Sequence, residues 1–425
     1  MRTEKVKNVL EVIGCLAVLA LMLAVCWTTA GSQSAQTEEQ RSEEVAPVGE
    51  VYTVNSREAY GVTEAEEATI RDYLSTYFNA LAQLEDANVI GYYKSDDSTA
   101  ALSSQIDQTA LEFLMDVRRL QPTDLTMTAW RCGITYVSRS VDENGLVTIE
   151  FLENNVQDFV CLQGESAESA GIAHTMIVDE SNGEVQLISH LRDEDGYLLV
   201  SDAYDALENK TTPEADLDAI QTELLENAQA DVEALNAARD SFENRESVKT
   251  AAQTYDREAA VAYANEWVDG DSIIRNDAWG LYDIYGGNCN NFISQCLYAG
   301  GIPMDLTGTQ WKWYSDDLNN NGGAYGRTSS WTGVDDFFTY AQENTGTGLV
   351  ADTTLNTYAG EIGDVLQYGT ENEWHHSVII TGLIYDDDGN VIDYRINSNT
   401  TDRENYPASA YAYSNLRLIK VIGYN

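Results

Sequence analysis

A cysteine flanked by glycine-rich loops constrains this chain more than any other stretch. Residues 286–301 read GGNCNNFISQCLYAGG. The leading glycines predict a loop, and Asn288 is a favourable helix N-cap. We therefore predict a helix of about three turns that begins at Cys289 and ends before Gly300. Its apolar face, with the three-and-four spacing of a helix, consists of Phe292, Ile293, Cys296 and Leu297.

The position of Cys289 at the start of a helix suggests that its thiol is a nucleophile. The first turn of a helix has unpaired backbone N–H groups and the positive end of the helix dipole, which favour a thiolate over a thiol. We assign Cys296, one heptad further on the same face, to the core. The alternative for Cys289 is the common role of a free cysteine, that of a small buried hydrophobic residue.

A nucleophilic cysteine needs a base, and the chain has four histidines. His174 and His190 lie in an upstream region that we predict to be structural, which leaves His375 and His376. Three predicted strands, at 365–368, 376–381 and 391–399, place His376 at the start of the second strand. Asn397 or Asn399, near the end of the third, would then lie close enough to orient the imidazole.

At this point several motifs in the same order resemble a known family. The last 175 or so residues are similar to the "putative amidase domain" found in many exported proteins of Gram-positive bacteria, a papain-like cysteine hydrolase family near the NlpC and CHAP cell-wall peptidases. The resemblance implies Cys289 as nucleophile, His376 as general base, and a peptide or peptidoglycan-like substrate. The motifs that carry it are Tyr255-Asp256-Arg257, residues 289–297, Trp331-Thr332, Gly363-Asp364-Val365 and His376-Ser377-Val378-Ile379.

Two positions depart from the family pattern. Asn288 stands where the family commonly has an aspartate, and Asn399 stands where it tends to have a histidine. An amide can orient the base, so Asn399 is the predicted third catalytic residue, with Asn288 and Asn397 as oxyanion or supporting residues. The alternative is a catalytically degenerate domain that binds cell-wall peptides.

The charge of the chain excludes polyanionic partners. The 425 residues carry a formal net charge of −46, which repels nucleic acid and anionic membrane surfaces.

No histidine or cysteine spacing predicts a metal site, and no cofactor is expected. Residues 317–322 match the first half of a calcium loop, but Thr328 stands where a bidentate glutamate should close it, so a polar turn is predicted.

The N-terminus predicts export. Residues 12–27 form an uncharged apolar run behind a basic flank. Residues 1–30 are therefore either a signal peptide cleaved near Ala30 or a membrane anchor formed by residues 9–30, and both place the rest of the chain in the cell envelope or outside the cell. Residues 31–56 are polar and acidic, which predicts a disordered tether.

The predicted fold class is α+β throughout. Residues 57–207 combine two helices with an antiparallel meander, and resemble by pattern the cone-shaped fold of the nuclear transport factor and ketosteroid isomerase group. Cys132 and Cys161 lie on separate predicted strands there, which allows a disulfide. Residues 208–252 form an acidic helical connector, and residues 253–425 form the papain-like domain. A third functional hypothesis is that residues 57–207 are the working ligand or partner module, while the last domain retains the protein at the wall.

Overall fold

The computed structural model describes residues 49–241, 246–283, 287–307, 310–313, 326–370 and 373–425. The predicted signal or anchor segment, residues 31–48 of the predicted tether and the polar turn at 317–322 lie outside the described residues. The end of the predicted tether is not disordered, because Glu50–Thr53 form a strand that pairs with Met127–Val141. Within the described ranges, no helix has the length and apolar composition needed to cross a bilayer.

Two long helices of the upstream half begin at residues whose side chains cap them. Thr63 and Glu66 form a complete capping box, and Asp97 caps the next long helix by accepting from the N–H groups of Thr99 and Ala100. The α-helices are α1 (Arg57–Tyr60), α2 (Glu64–Gln83), α3 (Ser98–Leu120), α4 (Asp195–Ala206), α5 (Pro213–Asp240), α6 (Arg257–Glu266), α7 (Cys289–Ala299), α8 (Ser329–Thr332) and α9 (Val334–Glu343).

The strands form a single large sheet, so the chain is α+β as predicted. The strands are β1 (Glu50–Thr53), β2 (Met127–Val141), β3 (Val147–Phe159), β4 (Ala167–Asp179), β5 (Gln186–Arg192), β6 (Leu349–Asp352), β7 (Val365–Gly369), β8 (Trp374–Tyr385), β9 (Val391–Ser398), β10 (Asp402–Pro407) and β11 (Asn415–Tyr424). Their order is β1-β2-β3-β4-β10-β9-β8-β7-β11-β6, and β5 also pairs with β4.

The upstream and downstream halves of the chain are joined through β4 and β10. Asp402 pairs with Ala170, Arg403 with Ser169 and Glu404 with Glu168, all antiparallel. Because the sheet continues across this seam, the two halves share one hydrogen-bonded framework.

Two hydrophobic cores lie on opposite faces of the downstream part of the sheet. On β8, Val378 and Ile380 belong to the core shared with the upstream helices, whereas Ile379 belongs to the core around α7. This is the alternation expected of a strand buried on both faces. Because of this alternation, only the side chains of β8 on the same face as Ile379 can contact Cys289.

The upstream region corrects two predictions. Cys132 and Cys161 are both free thiols, so the disulfide that the sequence allowed is not formed. Cys161 lies in a 3-10 turn after β3 rather than in a strand, and Cys132 is fully buried in the core. The connector is largely one helix, α5, and its apolar residues pack against the core of the upstream half.

Candidate active site

The helix α7 begins at Cys289, as the sequence predicts. Gly287, with φ +131°, supplies the backbone conformation that L-residues rarely adopt, and the chain then enters the helix through Asn288. The Cys289 side chain is only 6% exposed. The sequence Gly287-Asn288-Cys289 thus places the Cys289 thiol at the buried N-terminus of α7.

The other polar residues of the motif fix this helix in place. Asn291 accepts from Trp331 Nε1 at 2.8 Å and donates to the Gly280 carbonyl at 3.0 Å. Ser294 donates to the Trp331 carbonyl at 2.8 Å. Asn291 and Ser294 therefore have a structural role, because their buried hydrogen bonds position the helix that carries Cys289.

Asn288 does not cap α7 with its side chain, which corrects the expected N-cap hydrogen bond. Its amide nitrogen instead donates to Asn399 Oδ1 at 2.9 Å, and its oxygen accepts from Asn291 Nδ2 at 2.8 Å. The backbone N–H of Asn288 donates to Thr400 Oγ1 at 2.7 Å. The structure therefore brings Asn288 and Asn399 together beside Cys289 and ties the end of β9 to the start of α7.

The environment of the Cys289 thiol favours the neutral form. Burial raises the pKa of Cys289 to about 11, although the backbone N–H groups of Ser377, Asn290 and Cys289 itself favour the thiolate. The N–H groups at the helix start thus act in the predicted direction, but the cost of burying a charge exceeds their contribution, so the pKa of Cys289 lies above its ordinary value.

Ser377 is the residue of β8 that faces α7. Its hydroxyl donates to Asn290 Oδ1 at 3.0 Å and accepts from Gln367 Nε2 at 3.0 Å. Ser377 and Gln367 are direct partners in the pairing of β8 with β7, so their side chains share one face of the sheet.

His376 lies on the opposite face. Its direct partner on β7 is Tyr368, which belongs to the core shared with the upstream helices, and the Tyr411 hydroxyl lies 3.4 Å from His376 Nε2. Burial lowers the pKa of His376 to about 3, and the positive charge of Arg403 adds to the shift. In the described conformation the imidazole is neutral and directed away from Cys289, so the predicted Cys289–His376 pair stays a prediction.

The remaining predicted residues occupy separate places. His375 is exposed and stacks on Tyr413 at 5.2 Å between ring centroids. Asn397 shares the α7 face, but its amide donates to Asn265 Oδ1 at 3.0 Å, and its oxygen accepts from the Asn405 backbone N–H. Asn397 therefore holds α6 and β10 to the end of β9.

A buried ion triad beside the site was missed at the sequence level. Arg275 pairs with Asp283 at 2.7 Å and with Asp402 at 2.6 Å, and all three side chains are less than a tenth exposed. Asp283 also contributes to raising the pKa of Cys289. The only sequence signal was the Thr-x-Asp-Arg run that contains Asp402; nothing marked Arg275, which lies 127 residues earlier.

A second polar cluster was also missed. His174 and His190 were predicted to be structural because no carboxylate pattern lay near them in sequence, yet the fold gives each one a carboxylate. His174 Nε2 lies 3.1 Å from Glu153, His190 Nδ1 lies 3.4 Å from Asp107, and the two rings are linked at 3.0 Å. Among the described residues, no cluster of histidine, cysteine, aspartate and glutamate has the arrangement of a metal site.

Comparison with known proteins supports the resemblance of the downstream half to an amidase domain. Residues 254–422 match the family model described as "Putative amidase domain". The match indicates a hydrolase acting on amides, and it covers Cys289, His376 and Asn399. The chain is also 34% identical over 143 residues to the uncharacterized protein YhbB of Bacillus subtilis (strain 168), which covers 32% of this chain and 40% of that protein. No solved structure shows a significant similarity to the chain.

Proposed function

We propose that residues 254–422 hydrolyse amide bonds in cell-wall peptides outside the cell, with Cys289 as the nucleophile. The observation that carries the proposal is the position of Cys289 at the buried start of α7, among the backbone N–H groups of Ser377 and Asn290. Such N–H groups stabilise the negative charge that develops on oxygen when a nucleophile attacks an amide carbonyl.

In this proposal the reaction is acyl transfer to the thiol and then to water. Cys289 Sγ bonds to the carbonyl carbon, the tetrahedral intermediate collapses, and the amine leaves with the proton that the thiol gave up. Water then attacks the thioester and releases the acid, which restores the thiol.

His376 is the proposed proton carrier, and this role requires a movement. The imidazole must cross from the Tyr411 side to the α7 side before it can take the thiol proton. The β7–β8 pairing changes register between Tyr368 and Gly369, beside His376, so the regular hydrogen-bonded ladder is interrupted at the point where the movement would occur.

A peptide-binding domain without turnover is the second candidate. The observation that favours it is the separation of His376 from Cys289 across the sheet, together with the high pKa of the thiol. In that case Asn288 and Asn399 hold the site together but no proton transfer occurs in it.

Incubation of the full-length protein with purified muropeptides tests the proposal. Mass spectrometry should detect new amine and acid termini, and these should disappear in Cys289→Ala and in His376→Gln. Cys296→Ala is the matched control, because this cysteine lies on the same helix but is fully buried in its apolar core. Absence of turnover in the parent, with calorimetric binding retained by Cys289→Ala, would overturn hydrolysis in favour of the binding role.

A further inference from the structure

A polar cavity of about 470 Å³ lies at the seam between the two halves of the chain. Its wall is built from β4 and the loop before it, from α6, and from β8, β9 and β10, and every residue that lines it has a polar side chain. Neither Cys289 nor His376 is among them. A volume of this size is typical of sites for small molecules, so the cavity is large enough for an organic ligand.

The pairing of β4 with β10 places two glutamates side by side on this wall. Glu168 and Glu404 are direct partners in the antiparallel register, so their side chains share one face of the sheet with Cβ atoms about 5 Å apart. Both are half-buried. The loop after α6 comes so close that a Cβ atom on Gly270 would lie 2.0 Å from Glu168 Oε2, which keeps this carboxylate against the protein. Like charges directly opposite each other destabilise a sheet, so a cation between the two glutamates is favourable.

The net charge of the cavity wall is negative. Glu165 is a third carboxylate, and Arg395, which pairs with it, is the one cation among the described residues of the wall. Arg395 lies across Gly382, where a Cβ atom would be 2.2 Å from the arginine Nε. Three carboxylates against one guanidinium leave the wall with two net negative charges, which favours a cationic ligand over an anionic one.

A buried amide in the wall has hydrogen-bonding capacity to spare. Asn397 is 1% exposed, and its Nδ2 donates to Asn265 Oδ1 at 3.0 Å. Its oxygen accepts from the backbone N–H of Asn405, also at 3.0 Å. An asparagine amide has two N–H groups, and no described residue accepts the second. Because buried donors in native proteins nearly always have partners, this group favours a ligand that brings an acceptor oxygen.

Two other classes of ligand do not fit this wall. Among the described residues, no group of histidine, cysteine, aspartate and glutamate could hold a metal ion, which excludes a bare cation held by the glutamates. An apolar molecule would cover carboxylates and amides without offering them hydrogen bonds, and this is costly. The ligand class that remains is a polar organic cation.

We infer that this cavity, which we call the seam cavity (Glu165, Glu168, Arg395, Asn397 and Glu404), binds a small organic ligand that carries an ammonium group beside an acceptor oxygen. The ammonium group donates charge-assisted hydrogen bonds to Glu168 and Glu404, and the oxygen accepts the second N–H of Asn397. Amino sugars and lysine-containing peptides both present this combination. The inference does not depend on hydrolysis at Cys289.

Isothermal titration calorimetry of the full-length protein at pH 6.5 and constant ionic strength tests the inference. The probes are glucosamine and Nα-acetyl-lysine amide, and their neutral counterparts are N-acetylglucosamine and Nα,Nε-diacetyl-lysine amide. At least one charged probe should bind saturably, and about tenfold or more tighter than its neutral counterpart. Tighter binding of glucosamine would identify an amino sugar, and tighter binding of the lysine derivative would identify a peptide.

Tetramethylammonium controls for general attraction of cations to an acidic protein, because it has a charge but no N–H. Binding of tetramethylammonium as tight as that of both probes would overturn the inference. Equal binding of the charged and neutral probes would also overturn it, as would the absence of saturable binding.

Matched variants locate the site. The double variant Glu168→Gln/Glu404→Gln keeps both shapes without the charges, and should bind the probe at least about tenfold more weakly. Its ligand-free form should be at least as stable as the parent in urea, because two opposed like charges are removed. Glu223→Gln removes one charge from an exposed position on α5 and should bind as the parent does. Full binding by the double variant would overturn the inference. If that variant does not fold, Glu404→Gln alone decides, with a several-fold loss expected.

Discussion

His376 and Tyr368 lie directly opposite each other on β8 and β7, and both side chains point into the core that the downstream half shares with the upstream helices. Ser377, the next residue, points the other way and bonds to Asn290 on α7. The strand alternation therefore separates the predicted base from the predicted nucleophile in the free protein. On the face of β8 that packs against α7, the side chain nearest Asn290 is Ser377 rather than the predicted imidazole of His376.

The first prediction concerns the reactivity of Cys289. Because burial raises its pKa to about 11, labelling by a thiol-directed electrophile should be slow at neutral pH and should continue to accelerate up to about pH 11. The site of labelling is identified by mass spectrometry of the full-length protein. His376→Gln should leave this profile unchanged in the absence of substrate, because the imidazole does not contact the thiol. A rate that levels off below pH 8, and that drops in His376→Gln, would show that the two groups meet in solution.

The second prediction concerns stability in acid. The folded-state pKa of His376 is lowered to about 3, below its ordinary value of 6.5, so the unfolded chain binds more protons between these two values. This histidine should therefore reduce the free energy of unfolding as pH falls from about 6.5 to 3, by at most about 5 kcal/mol.

Urea unfolding of His376→Gln at pH 7.5 and pH 4.5 measures this effect. The variant should lose less stability than the parent between these pH values. His375→Gln is the control, because this neighbouring ring is exposed and stacks on Tyr413. Equal acid losses in His376→Gln and the parent would mean that other groups cause the acid sensitivity.

The helix at Cys289 and the three strands after it could be predicted because their signals are local. The glycines, the apolar spacing and the β-branched runs act over a few residues, and α7, β7, β8 and β9 follow them closely. The sequence placed Asn399 beside the imidazole of His376, whereas in the structure its side-chain oxygen accepts from Asn288 at the start of α7.

Contacts between distant segments could not be predicted in the same way. Which face of β8 carries His376 depends on which core covers each face, and one of these cores is built with the helices α2 to α5, far upstream in the sequence. The joining of β4 to β10, the Arg275 triad and the carboxylate partners of His174 and His190 depend likewise on packing between segments far apart in sequence. The pKa of Cys289 depends on the depth of burial, which a helix N-terminus alone does not define.

The third prediction concerns Asp107, which joins the buried histidine cluster to two tyrosines. Asp107 Oδ2 accepts from the Tyr73 hydroxyl at 2.6 Å and from the Tyr93 hydroxyl at 2.9 Å, and lies 3.4 Å from His190. Asp107→Ala would leave three buried groups without this partner, and should lower the free energy of unfolding by roughly 3–5 kcal/mol. Asp107→Asn keeps an acceptor oxygen and should cost less than half as much. The urea midpoints of the two variants give the comparison, and equal losses would mean that the charge, rather than the hydrogen bonds, holds the cluster together.

The fourth prediction concerns Arg275, the buried cation between Asp283 and Asp402. Arg275→Leu leaves two carboxylates buried side by side, which should cost roughly 3–5 kcal/mol at pH 8. Burial already raises the pKa of Asp402 to about 6 with the arginine present, so its removal should raise this pKa further. A carboxyl with a raised folded-state pKa binds more protons in the folded than in the unfolded state, so the variant should recover stability as pH falls from 8 to 5.

The combination of Arg275→Leu with Asp283→Asn and Asp402→Asn separates charge from packing at this triad. If the loss comes from the unpaired carboxylates, the triple variant should be more stable than Arg275→Leu at pH 8, and its stability should change less between pH 8 and pH 5. Urea unfolding at the two pH values measures both effects. A triple variant as unstable as the single one would instead assign the loss to the shape of the arginine side chain, which fills the space between Asp283 on the approach to α7 and Asp402 on β10. In that case the triad supports the Cys289 site through packing, and its charges contribute little.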